Sequence, residues 1–512
     1  MTKYIPTIGI EVHVELKTKT KIFSNSINGY GEMANSLTNV IDLGYPGTLP
    51  TLNEEVINLA IKAATVLNCK IRRQIHFDRK NYFYPDNPKN YQITQARTPI
   101  GYDGYVEIVV NGEKKKIEIL EMHIEEDTCK STHRGTKTLL DFNRAGVPLI
   151  EIVTKPCITS SEEAKLYLEK LKELLFYSDI SDCKMEEGSM RADANVSIRK
   201  KESDSFGTKC EIKNIGSISN VGISIEKEIA RQANLLDAGE TFKEQTRRYD
   251  DKLGDTVLMR VKETGNDYRY FPEPDIPYLY ITDEMIENVV KTIPMLPDER
   301  KQIYISKGVP VLNANKLIQN RALSDYFNTL LEEKTNFRIA SNLLLGDISA
   351  YLNKKEKVIT ETTLTKERFI DLISKIEDDT LTSKNLKDIL DTPISPELLP
   401  PDQAGNILQQ TESSIGPYVL HDFFLYHFLK YGASPKKIYF LAKHTFNGKF
   451  DNETIKKWLK VFVKRFFTQQ FKRNCVPDGV KVGSIGLSPR GDFRMPSDVS
   501  YNIWLKEVEE LD

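Results

Sequence analysis

Residues 8 to 16 of this 512-residue chain alternate strictly: Ile8, Ile10, Val12, Val14 and Leu16 are apolar, and Glu11, His13 and Glu15 stand among them. In a strand, alternate side chains share one face about 7 Å apart, so the two carboxylates flank the imidazole. That is a candidate metal edge, and it is also what the solvated face of an antiparallel sheet looks like. The pattern recurs. Leu120, Met122 and Ile124 alternate with Glu121, His123 and Glu125, and Glu126 and Asp127 follow. Arg191, Asp193, Asn195 and Ser197 alternate with Ala192, Ala194, Val196 and Ile198, and Lys209, Glu211 and Lys213 with Cys210 and Ile212. Strands carrying acid, imidazole and base on one face can hold a hard cation through carboxylate oxygens and meet an anionic substrate with Lys and Arg, as metal-assisted phosphoryl transfer requires. Carboxylates with few histidines and no thiol pair favour Mg2+ over a structural zinc.

Absent motifs narrow the chemistry. The sequence contains no G-x-x-x-x-G-K-[ST], no H-E-x-x-H, no G-x-S-x-G and no G-x-G-x-x-G opening a helix, so any use of ATP is not by a P-loop. The segment FDRKNYFYPDNPKNYQITQ, residues 77 to 95, mixes bases with tyrosines. It suits base stacking and phosphate pairing, and equally a Tyr-rich loop wedged on a sheet. TRRYDD (246 to 251) and MRVKETGNDYRYFPEPDIP (259 to 277) bring Arg247, Arg248, Arg260, Lys262 and Arg269 near acids and aromatics, as in a salt-bridged loop.

The elements that must position these residues follow from composition and periodicity. A chain of this length, 40% hydrophobic and 28% charged, folds as several domains rather than staying disordered. Its net charge of -2 excludes a generally basic nucleic-acid coat but not a local basic patch. Six cysteines with no C-x-x-C pair point to a reducing cytoplasm, and no uninterrupted apolar run suits a membrane span. The fold class expected is α+β: an antiparallel-sheet cradle over 1–295, a helical domain over 296–390 and a mainly helical segment over 391–512. One helix should start at Ser160 with Glu163 completing a capping box and Leu168, Leu171 and Leu175 on one stripe. A second carries Val221, Ile225 and Ile229 and stops at Gly239, and the helical domain opens at Pro297 with a stop at Gly308. The prolines of DTPISPELLPPDQAG, residues 391 to 405, mark a boundary. Beyond it lie 11 of the 22 phenylalanines and both tryptophans, which fits either a segment of separate origin or an aromatic-rich terminal subdomain.

The runs IGIEVHVELKTKTKIFS, YPGTLPTLN, FDRKNYFYPDNPKNYQITQ, HIEED, DFNRAGVPLIEIV, KMEEGSMRADANVS, EIKNIGSISNV, TRRYDD and DYRYFPEPDIP together resemble the B subunit family of the aspartyl/glutamyl-tRNA amidotransferases, in unbroken order from residue 4 to about 390. The resemblance implies an ATP-dependent carbon–nitrogen ligase with glutamine as amide donor. The side-chain carboxylate of Glu or Asp misacylated on tRNA(Gln) or tRNA(Asn) is phosphorylated, and ammonia displaces the phosphate. It implies Mg2+ and ATP as cofactors, with Glu11, His13, the Glu125-Glu126 pair and Glu211 at the metal. One member of that pair is ligand and the other gates ammonia, and the resemblance leaves open which. Lys80 is implied as a catalytic contact, and Asp193 and Asn195 as contacts to substrate or on the ammonia path. The implied partners are the misacylated tRNA, an amidase (glutaminase) that forms the A subunit, and a small C subunit.

Two departures from the family stand out. Glu125-Glu126-Asp127-Thr128-Cys129-Lys130 puts a bulkier residue where the family usually has glycine, which implies local strain or an altered turn. The family's small tRNA-gripping tail is replaced by a segment, about 392 to 499, that resembles the C-terminal end of glutamine-dependent NAD synthetase without its ATP-pyrophosphatase loop. Within it Lys464, Arg465, Lys472 and Arg473 interleave with Phe462, Phe466, Phe467 and Phe471, as in a helix whose aromatics pack while its bases snorkel, or in a nucleic-acid site. Two other functional readings remain: a non-catalytic or impaired fusion whose last segment displaces tRNA binding, and NAD synthesis, which the missing loop disfavours.

Overall fold

The alternation at the N-terminus becomes one long strand, β1 (Tyr4–Glu15), in the computed structural model. Short strands β2 (Lys70–Ile71), β3 (Gln74–Ile75), β4 (Asp78–Asn81) and β5 (Tyr91–Thr94) follow, then the long pair β6 (Gly101–Val110) and β7 (Glu113–Glu126). A hairpin of β8 (Lys130–Arg134) and β9 (Lys137–Asp141) leads to β10 (Pro148–Thr154), β11 (Met190–Lys200), β12 (Cys210–Ile215), β13 (Gln245–Asp250), β14 (Asp255–Val261), β15 (Phe271–Pro272) and β16 (Leu279–Tyr280). Residues 3–201, 203, 205–261, 268–378, 416–470, 487, 493, 495 and 499–511 are described. They fall into two units, Met1–Glu377 and Asp378–Asp512.

The first unit is built on a nine-stranded sheet, order β14-β13-β12-β11-β1-β10-β7-β6-β2. Neighbours run antiparallel except β12 and β13, which are parallel, so the α+β class with an antiparallel-dominated sheet holds. Ile8, Ile10, Val12, Val14 and Leu16 are fully buried on one face. That face is covered by α1 (Glu54–Val66), α2 (Ser161–Tyr177) and α3 (Ile218–Asp237), with α2 against β6 and α3 against β11. The other face of β1 carries Glu11, His13 and Glu15.

Local signals explain the helices. Ser160 caps α2 by accepting from the Glu163 amide at 3.2 Å. The Glu163 carboxylate completes only half of the expected box, because it accepts from the Thr159 amide at 2.7 Å and from Lys115 at 2.7 Å. Leu168, Leu171 and Leu175 are fully buried, as are Val221 and Ile225 of α3, which ends before Gly239 at φ 77°. One expectation fails on β7: Leu120 does not share the inward face of Met122 and Ile124 but is exposed. The register with β10 shifts between Val153 and Thr154, and this bulge turns Ile119 inward in its place.

From Asp283 onward helices succeed one another: α4 (Asp283–Val290), α5 (Pro297–Ser306), α6 (Val311–Gln319), α7 (Arg321–Asn328), α8 (Phe337–Leu343), α9 (Ser349–Lys355) and α10 (Lys366–Glu377). Pro297 occupies the first turn of α5, and Gly308 beyond its end has φ 89°. In the second unit α11 (Tyr418–Tyr431), α12 (Pro435–Thr445), α13 (Asn452–Thr468) and α14 (Asn502–Glu509) enclose an aromatic core. Phe462, Phe466 and Phe467 are buried there while Lys464 and Arg465 point outward. Packing thus accounts for this face. Phe471, Lys472, Arg473 and the prolines of 391–405 lie outside the described residues.

Ile10, with zero exposure, sits directly behind the polar face. Ile10→Ala should cost about 2–5 kcal/mol of stability, and Ile10→Val no more than about 1.5 kcal/mol. Denaturant unfolding followed by circular dichroism measures both.

Candidate active site on the polar face of the sheet

Strand register places four polar residues side by side across the sheet. His123 on β7 faces Glu151 on β10, Glu151 faces His13 on β1, and His13 faces Arg191 on β11. His13 Nε2 is 3.4 Å from Glu125 Oε1 and 3.6 Å from Glu151 Oε2. His123 Nε2 is 2.9 Å from Glu151 Oε2 and 3.9 Å from Glu125 Oε2. Glu125 is only 3% exposed, so its charge must be met inside the protein. Burial would lower the His13 imidazole, but Glu125 and Glu151 outweigh it and raise the pKa to about 9. Burial would likewise raise the two carboxyls, yet the imidazoles hold both below the usual carboxylate range.

Ligand atoms of His13, Glu125 and Glu151 all lie within 4.8 Å of one another. Donors on opposite sides of one Mg2+ ion are about 4.2 Å apart, so the two His13 separations fit within a single coordination sphere. Two carboxylates and one imidazole suit a divalent cation, and among the described residues these three could hold one. His123 Nδ1 is buried without a hydrogen-bond partner.

Glu11 and Glu211 form a second group along the same face. Asn195 donates to Glu11 at 2.7 Å. Lys213 bridges Asp193 and Glu211, 3.1 Å from each, and Thr246 donates to Glu211 at 2.9 Å. Burial, followed by the Glu151 charge, raises the Glu11 carboxyl. Burial would lower the Lys213 ammonium, but Asp193 and Glu211 raise it. Glu11, Asp193, Asn195 and Glu211 therefore adjoin the trio without entering it.

Adjacent acids on β7 part company because the pleat sends them to opposite sides. Glu125 meets His13, whereas Glu126 is salt-bridged to Lys89 and accepts from the Ile93 amide at 2.9 Å. The structure therefore does not bring Glu126 to the imidazole. Lys80 lies with its ammonium 5.0 Å from the Tyr268 ring centre. Burial would lower it, and the charges of Glu125 first, then Tyr270 and Glu151, raise it. At the far edge Arg191 donates to Asp127 at 2.6 Å. The strain anticipated at Cys129 does not appear: its φ is not in the left-handed region, and its amide donates to Asp86 O at 2.9 Å.

Arg247 donates to Thr256 Oγ1 at 2.9 Å, and Arg248 lies 3.2 Å from Asp250, so TRRYDD serves a salt-bridged hairpin. Lys262 lies outside the described residues. Sequence reasoning passed over Glu151 and Lys89. The signal for Glu151 was a lone acid inside the aliphatic run Pro148–Thr154, a strand buried enough to need a partner for it.

The sequence that builds this nine-stranded sheet matches a family of catalytic domains. Residues 6–287 match the GatB/GatE catalytic domain, and residues 325–402 match the GatB domain. The chain belongs to this family. The B subunit of the aspartyl/glutamyl-tRNA(Asn/Gln) amidotransferase of Bacillus licheniformis is 51% identical over 384 residues, 75% of this chain and 81% of the relative. The proteins of the same name from Geobacillus kaustophilus (51% over 384 residues) and Bacillus cereus strain AH187 (50% over 383 residues) cover the same shares. Among the described residues no helix is long and apolar enough to cross a membrane.

Glu15 gives the site a pH signature. Burial, then the neighbouring Asp127 charge, raises its carboxyl from 4.5 to about 7. A folded-state pKa above the unfolded one means that the native state holds the proton more tightly, so stability falls as pH rises from about 4.5 to 7. Glu15→Gln should therefore raise the melting temperature above pH 7 and leave it little changed near pH 4.5, a contrast readable by calorimetry in chelator.

Proposed function

We propose that this chain is the ATP-using subunit of a tRNA-dependent amidotransferase. It takes Glu-tRNA(Gln), or Asp-tRNA(Asn), and readies the side-chain carboxylate for amination. A carboxylate oxygen attacks the γ-phosphorus of ATP and ADP leaves. Ammonia then attacks the acyl carbon, the bond to phosphate breaks, and the amide remains on the tRNA. The observation that carries the reading is the His13–Glu125–Glu151 trio, in a chain 51% identical over 384 residues to a relative named as an amidotransferase B subunit.

His13, Glu125 and Glu151 would hold Mg2+, with Glu11 and Glu211 beside it. Bound there, the ion would neutralise the phosphoryl oxygens and orient the ATP. Lys80 and Lys213 add positive charge on either side, where the substrate carboxylate and the phosphates need it. The environments of the adjacent acids support dividing their roles: Glu125 serves the metal edge and Glu126, closed on Lys89, guards the entry of ammonia. The ammonia comes from a glutaminase partner, a small third protein completes the complex, and the assembly works on tRNA in the cytoplasm. The segment beyond the GatB domain match, which ends at residue 402, carries no part of this chemistry.

The chain, mixed with its glutaminase and small subunits, ATP, Mg2+, glutamine and Glu-tRNA(Gln), should yield Gln-tRNA. Absence of product, with a tail-bearing relative active in parallel, would favour an impaired fusion. Glu11→Gln, Glu151→Gln and Glu211→Gln should each lower ATP cleavage by at least about 100-fold while the complex still assembles. Near-normal cleavage in these variants would remove them from the reacting centre. Glu151→Gln should also weaken binding of Mn2+, used as a spectroscopic probe by electron paramagnetic resonance. Glu126→Gln should instead spare ATP cleavage and lower amide formation.

A further inference from the structure

Residues 403–512 lie beyond both family matches and belong to the second unit. One stretch there has a chemistry of its own. Between residues 416 and 450 five lysines, Lys430, Lys436, Lys437, Lys443 and Lys449, stand against a single acid, Asp422, and ten tyrosines and phenylalanines share the segment. Phe424, Tyr439 and Phe446 go into the core of the unit, whereas Tyr426, Tyr431 and Phe440 stay exposed. Cations interleaved with open rings suit an anion that carries a flat ring of its own.

The turn from α11 to α12 gathers these side chains around a cavity of 410 Å3, lined by His427, Tyr431, Gly432, Ser434, Lys437 and Leu441 among others. Its aromatic wall is preset. The Tyr431 and His427 rings stack with centres 5.8 Å apart and 29° between their planes, and Tyr426 stands edge-on to Tyr431 at 5.6 Å. Lys430 donates to the Tyr426 hydroxyl at 3.1 Å and holds its ammonium 5.0 and 5.7 Å from the ring centres of Tyr426 and Tyr431. Gly432, at φ 57°, turns the chain directly after Tyr431. Rings fixed in this way lose little freedom when a third ring stacks on them.

The charge beside the wall is open. Among the described residues the ion pairs of this unit join Lys460 to Glu509 and Lys506 to Glu510, and neither Lys430 nor Lys437 meets a carboxylate within ion-pair distance. The amide end of α12 is already met, since Ser434 accepts from the Lys437 amide at 3.5 Å and Glu507 from the Lys436 amide at 3.0 Å. The cation left for a ligand is therefore the Lys437 side chain. We propose that this cavity binds a nucleotide, with its base stacked on Tyr431 and its phosphate on Lys437. A phosphate alone would leave the aromatic wall unused, and a base alone would leave Lys437 unmatched. The volume falls within the range of about 300–1,000 Å3 typical of small-molecule sites, which suits one nucleotide and not a duplex. Two sources offer that chemistry, a free mononucleotide and the unpaired end of an RNA strand.

The test uses the full chain in chelator, with 2-aminopurine riboside 5′-monophosphate as the probe, because stacking quenches its fluorescence. Quenching should saturate with the parent chain and with Tyr431→Phe, which keeps the ring. Tyr431→Ala should weaken binding by at least about fivefold. Lys437→Ala should weaken binding of the monophosphate several-fold and leave that of the uncharged riboside unchanged. Ile503→Ala, at an exposed position of α14, should match the parent, and circular dichroism checks that each variant is folded. A single-stranded hexaribonucleotide with the same phosphorylated base at its end separates the sources: tighter binding than the monophosphate assigns the site to an RNA end, and equal or weaker binding assigns it to a free nucleotide. Equal binding by the parent and Tyr431→Ala overturns the proposal. So does a parent that quenches neither probe, or a Lys437→Ala variant that loses the riboside as much as the monophosphate.

Discussion

One buried and one half-buried carboxylate in the middle of a sheet set the terms for the rest of the structure. Glu125 and Glu151 lie close enough to repel each other, and an unpaired charge at such depth costs several kcal/mol. His13 and His123 meet them from the adjoining strands, and Arg191 extends the row on the far side of His13. The compensation works only in one register, because a slip by one residue would send His13 into the apolar face and Val12 or Val14 into the acids. Electrostatics and hydrophobic burial therefore specify the same pairing of β1, β10 and β11. The fully buried back of β1 and its charged front are two expressions of one constraint.

That constraint also explains how such an acidic face folds. Each acid near the trio has a built-in counterweight: Lys213 for Asp193 and Glu211, Arg191 for Asp127, Asn195 for Glu11. At two acids the counterweight falls short: burial and the Glu151 charge outweigh Asn195 at Glu11, and burial and Asp127 outweigh Arg191 and Arg144 at Glu15, so both carboxyls are raised. Under the function proposed above, the basic side chains that offset these acids would also meet an incoming phosphate. A single layer of cations would then meet both the folding and the binding requirement.

Much of this was legible in the sequence, for a physical reason: period-two alternation with acids at fixed places is a local property, and Glu11, His13, Glu125 and Glu211 declare themselves by it. Helix caps were legible too, as at Ser160 and Gly239. What local pattern cannot show is how strands pair. Glu151 lies in an aliphatic run and acquires meaning only when β10 is inserted between β1 and β7. Leu120 was misplaced because a bulge inserts one extra residue, and nothing in EILEMHI announces it. Lys89 stood in a segment whose basic residues and tyrosines were read together, and its partner Glu126 is 37 residues away.

The separation of Glu125 from Glu126 shows how one strand can serve two chemical tasks. Consecutive residues on β7 share a backbone but not a face, so a single short segment presents one carboxylate to the imidazole edge and the other to Lys89. The Gln92 amide donates to the Glu126 carbonyl at 2.7 Å, and the Glu126 side chain accepts from the Ile93 amide, which fixes β5 to the end of β7. A shift of Lys89 would therefore pull on the strand end that aims Glu125. The same strand end thus holds the two acids in separate environments, one against the imidazole edge and one against Lys89.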